Sequence, residues 1–274
     1  MIVNIIKQGL KTTNQNMVYI LLFSMYQLVC GILLFQWIES VIISISLRFP
    51  DSSIMDARQL FIIEGQYLIT DGDFMLKFLS PLLIFIGIRW IVSPLLNAGL
   101  FYAIHHKESK SDKPLFLQGV IKLGRSFFII SCIHLLFFSL PLYWIFPFLK
   151  NTLETYTTPY SLLWNVTPVL IAYIVYVWII HILFMYIQWG KTTSNNITSP
   201  VVFMLKNIVI TNGLSLIIII IIGVFTALFF SVSMMWVGFW AIIINQIQYF
   251  IRVYLKVWEI STQYHFWLHK KEPQ

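Results

Sequence analysis

Any chemistry in this chain would have to come from a few polar side chains set inside long apolar runs: Glu39, Arg89, Asn245, Gln248, Arg252 and Lys256. An ion left alone in hydrocarbon costs about 2.5–3.5 kcal/mol on insertion scales, so such groups pair, line a wet cavity or bind a ligand. Glu39 falls about eight residues from the end of one run, and Arg89 about eight residues into the next, antiparallel one. That register predicts an ion pair at one depth, acting either as helix glue or as a substrate or proton site. Asn245, Gln248, Arg252, Lys256 and Glu259 stand at offsets 0, 3, 7, 11 and 14, which places them on one helical face. So long a polar stripe cannot face lipid. On one reading, Arg252 and Lys256 snorkel to lipid phosphates while Asn245 and Gln248 bond neighbouring helices. On the other, the stripe lines a groove for an anionic headgroup or a peptide carboxylate.

His134 and His181 each lie about eight residues from the same end of antiparallel runs, hence at one depth. Two imidazoles can begin a metal site, but no third ligand follows at motif spacing, and Cys132 points elsewhere on its helix. His265 and His269 are four apart without the Glu of a zinc-protease motif, so an interfacial role is expected for them. Asp71-Gly72-Asp73 reads as a turn rather than a calcium loop. No G-x-S-x-G, phosphate loop, H-E-x-x-H or G-x-G-x-x-G occurs. The expectation is a chain that is not an enzyme, with no catalytic residues, no cofactor and no metal.

The elements that must position these groups are dictated by composition. The 274 residues are 58% hydrophobic and only 11% charged, against roughly 25% charged in soluble domains. Several runs exceed the ~18 apolar residues that suffice to span a bilayer. Leu216 to Ile222 is unbroken Leu and Ile, which excludes the alternation of a barrel strand. The fold class is therefore all-α: one polytopic membrane helix bundle over residues 1–274, with about six spans. These are expected at 18–47, 81–104, 126–149, 166–189, 214–237 and 239–258, with an outer loop at 48–80. Pro94 is expected to kink the second span, and Pro141 and Pro147 to bend the third. Gly99 with Ala103, and Gly223 with Ala227 and Ser231, are spaced by four as close-packing seams. The apolar stretch after residue 12 is too long for a cleaved signal peptide and ends in no small-residue cleavage site. Cys30 and Cys132 both lie in apolar runs, so no disulfide framework is indicated.

Lys and Arg accumulate on the cytoplasmic side of membrane proteins. With six spans, 13 basic residues fall on one side, from Lys7 and Lys11 to Lys270 and Lys271, and 4 on the other (Arg48, Arg58, Lys77, Lys150). Both termini are then cytoplasmic. The net charge of +7 is spread over helix ends, which suits anionic lipid of the inner leaflet and not nucleic acid. The Ile, Asn and Lys usage is that of an AT-rich bacterial genome.

Three segments share one plan, a short amphipathic helix with a central Lys that leads into two spans. They read IIKQGLKTTNQN before Met17, FLQGVIKLGR before Ser126 and VFMLKNIVITNG before Leu214. Lys7, Lys11, Lys122, Arg125 and Lys206 are their interfacial anchors. The stretches Ile6-Lys7-Gln8-Gly9-Leu10 and Gly119-Val120-Ile121-Lys122-Leu123-Gly124-Arg125, each entering a span, carry a family resemblance. The chain resembles the six-span membrane domain attached to some glycerophosphodiester phosphodiesterases, together with its stand-alone bacterial relatives. No soluble phosphodiesterase domain accompanies it, so the resemblance implies no catalytic residues. The expected function is that of a non-enzymatic protein of the bacterial cytoplasmic membrane. It would be a scaffold or accessory component engaging lipid or amphipathic peptide, with a membrane partner such as an export ATPase or an immunity role. A small transporter with a polar site between helices is the alternative.

Overall fold

A computed structural model describes residues 2–46, 80–106, 114–155, 159–193, 196–235 and 239–271. All regular structure among them is helical: α1 Ile2–Gln15, α2 Met17–Ser46, α3 Ser80–His105, α4 Leu115–Ser139, α5 Leu142–Thr155, α6 Pro159–Thr193, α7 Thr198–Lys206, α8 Ile208–Met235 and α9 Phe239–Lys271. The outer loop at 48–79 with its Asp71-Gly72 turn, and the basic stretch 107–113, lie outside the described residues. A helix is the form in which an apolar run meets its own backbone hydrogen bonds without water, and the apolar runs set most of these boundaries. Five stretches are long and apolar enough to cross a membrane: Met17–Ser40, Ser80–His105, Leu115–Thr152, Trp164–Thr193 and Ile208–Val232. The protein is thus a multi-pass helical membrane protein. The sixth expected span, 239–258, is the first part of α9, and α9 is not among those five.

The chain divides into two compact units, Leu21–Ser93 and the remainder, Met1–Ile20 with Pro94–Gln274. Among the described residues of the smaller unit, Phe23 is the enclosed aromatic, with its ring edge-on to Tyr26. The larger unit has a core where the basic helix ends meet. Trp189, Trp267, Tyr186, Phe101, Phe127 and Phe266 are its largest enclosed side chains. Trp189 sits at the centre, 4.4 Å from the Phe101 ring and stacked 4.3 Å from Tyr264. Residues 257–267 of α9 are almost wholly enclosed, with Tyr264, Phe266 and Trp267 each under 8% exposed. The aromatic C-terminal stretch is therefore core. His265 shares in this: instead of meeting the interface, its Nε2 lies 2.7 Å from Thr12 Oγ1. His269 alone of the two is exposed.

That core closes through three tight approaches. On α1 the enclosed face is Ile5, Gly9, Thr12 and Thr13, while Lys7, Gln8 and Lys11 face outward and Ile2 and Val3 are also exposed. A side chain at Gly9 would strike Thr262, whose backbone N and Cα lie 2.9 Å from the Cβ position. Gly119 at the start of α4 meets α3 in the same way, with Ala98 O at 2.9 Å and Gly99 Cα at 3.0 Å. Gly190 near the end of α6 meets Asn196 O and Ile197 Cα at 3.0 Å, just before α7. Each amphipathic segment thus lies against the C-terminal part of a long helix: α1 on α9, the start of α4 on α3, α7 on α6.

The three segments differ in how they enter the membrane. Asn16 separates α1 from α2, and Asn207 separates α7 from α8. At both breaks the Asn side-chain amide donates to the carbonyl four residues back, Thr12 at 2.8 Å and Phe203 at 2.9 Å. Such local bonds compete with the helical ladder. The third break thus falls before the ITNG stretch where the sequence pattern set it. The middle copy has no polar breaker and runs straight through as α4. Pro141 ends α4 two residues later, whereas Pro94 and Pro147 stay inside helices. Of the two small-residue seams, Gly99 and Ala103 are buried, with a Cβ at Gly99 falling 2.7 Å from the Phe116 ring. Gly223, Ala227 and Ser231 are exposed, and nothing lies within 4 Å of a Cβ built at Gly223.

Candidate functional site: a polar network at the basic end of the helices

The expected stripe on α9 is graded along its length. Arg252 is exposed, Gln248 and Lys256 are half-buried, and Glu259 is 7% exposed. The side chain of Asn245 lies outside the described residues. Glu39 and Arg89 belong to the smaller unit, where both are exposed. The ion pair expected from their depth does not form among the described residues. Equal depth on antiparallel helices does not settle rotation about the helix axes, and Arg89 lies within electrostatic reach of Tyr26. Lys7, Lys11, Lys122, Arg125 and Lys206, expected as interfacial anchors, are all exposed. Lys122 also donates to Tyr102 Oη at 3.1 Å.

Where the stripe becomes buried it continues into a closed hydrogen-bond network across three helices. Ser215 Oγ on α8 donates to Glu259 Oε1 at 2.8 Å. Gln263 Nε2 on α9 donates to Ser215 Oγ at 3.0 Å and to the Thr211 carbonyl at 2.8 Å. Tyr186 Oη on α6 donates to Gln263 Oε1 at 2.8 Å. Gln263 extends the stripe by one further turn, and Ser215 interrupts the apolar start of α8; neither stands out in the sequence. Burial pushes the Glu259 carboxyl above its ordinary range, and the Ser215 bond and nearby Lys256 oppose that only in part. A carboxyl in this setting binds a proton more readily than one in water.

A second cluster joins α3 to α9: His105 Nδ1 lies 2.7 Å from Tyr264 Oη, and the His106 ring stacks 4.0 Å from Tyr102. The shared depth expected of His134 and His181 is realised, with ring centroids 6.1 Å apart. Among the described residues no group of three His, Cys, Asp or Glu could hold a metal ion. Cys30 and Cys132 are both free thiols.

No protein-family model, no curated protein and no solved structure matches this chain.

Proposed function

We propose that this protein is a non-enzymatic scaffold or accessory component of the bacterial cytoplasmic membrane, with both termini in the cytoplasm. It engages anionic lipid or an amphipathic peptide beside a membrane partner such as an export ATPase. The observation that carries this reading is where the packing is. The larger unit is dense at the basic helix ends, yet the most apolar parts of Leu115–Thr152, Trp164–Thr193 and Ile208–Val232 are only 6%, 22% and 17% buried. Long apolar flanks are thus left for lipid or for other helices. Glu39 and Arg89 support the same reading, because exposed charges in apolar helices call for a partner outside the chain. The resemblance to the membrane domain of glycerophosphodiester phosphodiesterases fits such a role, since that domain accompanies a catalytic domain without supplying catalytic residues.

Purification of the full chain in mild detergent, with mass spectrometry of what stays bound, tests the proposal. Retained anionic lipid or a reproducible membrane partner is the expected outcome. Recovery of the chain alone, with neither, overturns it. A transporter reading draws on the graded polar face of α9, from exposed Arg252 to buried Glu259. It predicts solute flux in proteoliposomes that is lost on neutralising Arg89.

A further inference from the structure

We propose that His134, His181 and Lys256 form a phosphate-binding site that opens sideways between α4, α6 and α9. The proposal deepens the lipid-engaging reading above and rests on it. Three helices bring the groups together. Antiparallel α4 and α6 are joined by Tyr173 and Tyr176, which donate to the Phe138 and Phe137 carbonyls at 3.2 Å and 2.9 Å. One turn along that seam, the His134 and His181 rings face each other at 6.1 Å. α9 runs in the same direction as α6 and is bonded to it through Tyr186 and Gln263. Five residues back along α6 is His181, and seven back along α9 is Lys256, within electrostatic range of the His181 ring.

The chemistry of the cluster selects the ligand. His134 Nε2 is buried and has no hydrogen-bond partner, an unmet polar atom of the kind that a ligand or water satisfies. Two imidazoles and an ammonium together present N–H donors, which match the acceptor oxygens of a phosphate. A metal cation would meet only two ligands and would be repelled by Lys256. Arg252, exposed one turn before Lys256 on the same face, extends the positive charge along α9. Glu259, one turn after it, accepts a bond from Ser215 and also lies within electrostatic range of Lys256, so a bound phosphate would share the ammonium with that carboxyl. His181 is exposed, and so are Ile174 and Val175 on the same helix. The site thus opens onto an apolar flank, where acyl chains attached to the phosphate have a surface to lie on.

The test is native mass spectrometry of the full chain in mild detergent. The probes are phosphatidylglycerol, a diacylglycerol of the same acyl chains, and inorganic phosphate. H134N/H181N and K256Q are compared with K150Q, which removes one exposed positive charge from α5, and a thermal melt confirms that each variant is folded. The expected result is phosphatidylglycerol bound by the wild type and by K150Q, and weakened at least tenfold in H134N/H181N and K256Q. Inorganic phosphate bound in place of the lipid, with the same dependence on the three residues, supports the site with a soluble phosphate as its ligand. Equal phosphatidylglycerol binding by all variants, or binding of diacylglycerol as tight as that of phosphatidylglycerol, overturns it. Should the H134N/H181N variant fail to fold, K256Q alone decides. If the wild type retains no lipid and no partner, the lipid-engaging reading fails as a whole; if it retains lipid that none of the variants loses, only this site fails.

Discussion

At the scale of single residues, Glu259 decides the most. Its carboxyl is pushed above its ordinary value of 4.5 by burial, so the folded chain binds its proton more tightly than the unfolded chain. Stability from this group is therefore fully present below pH 4.5 and is lost as pH rises through the raised folded value. Melting temperature measured across that window should fall with pH in the wild type and flatten in E259Q. Ser215→Ala removes the hydroxyl that serves both Glu259 and Gln263. Leaving buried polar atoms unmet costs about 1–3 kcal/mol, and a lowered melting temperature in detergent would show it; an unchanged one would mean that the network contributes nothing. The stripe leading to Glu259 was legible, because five polar residues at helical spacing are conspicuous in an apolar chain. Gln263 and Ser215 were not: one sits in a stretch that resembles an amphipathic tail, the other is a single hydroxyl before a run of Ile. The shared depth of His134 and His181 could be counted from the span ends, whereas depth alone could not tell that Glu39 and Arg89 are both exposed.

At the scale of elements, α2 and α3 begin and end within a residue of the positions expected from length and hydropathy, whereas α8 begins six residues before its expected start. What hydropathy could not show is which face of an amphipathic helix meets protein. On α1 it is a face of Ile5, Gly9, Thr12 and Thr13, mostly small residues with little apolar character. Gly9→Val should lever α1 off α9, because the clash is with Thr262 backbone as well as its side chain. Overpacking of this kind costs typically about 1–3 kcal/mol. The expected readout is faster proteolysis within the first 16 residues, with the remaining helices intact. The breaks at Asn16 and Asn207 make a separate point. Two of three similar segments bend where an Asn side chain takes a backbone carbonyl, and the third, without one, stays straight. Asn207→Leu should therefore merge α7 with α8, lengthening the distance between spin labels placed at Val202 and Ile217.

At the scale of the whole molecule, the distribution of Lys and Arg predicts that both ends of the chain face the cytoplasm. Cysteines placed at Lys11 and Lys270 in a Cys30- and Cys132-free background should react with an impermeant thiol reagent only from the cytoplasmic side, and one at Asp71 only from outside. Labelling of position 270 from outside would mean that α9 does not cross. The contact of α1 with α9 also bears on the order of synthesis. The seam of α1 is made before its partner around Thr262, which comes about 250 residues later, a delay on the order of tens of seconds at translation rates of about 5–20 residues per second. Until then the seam has nothing to close against, and every chain that stops early keeps it open. Closure of the α1 seam therefore reports that synthesis has passed Thr262.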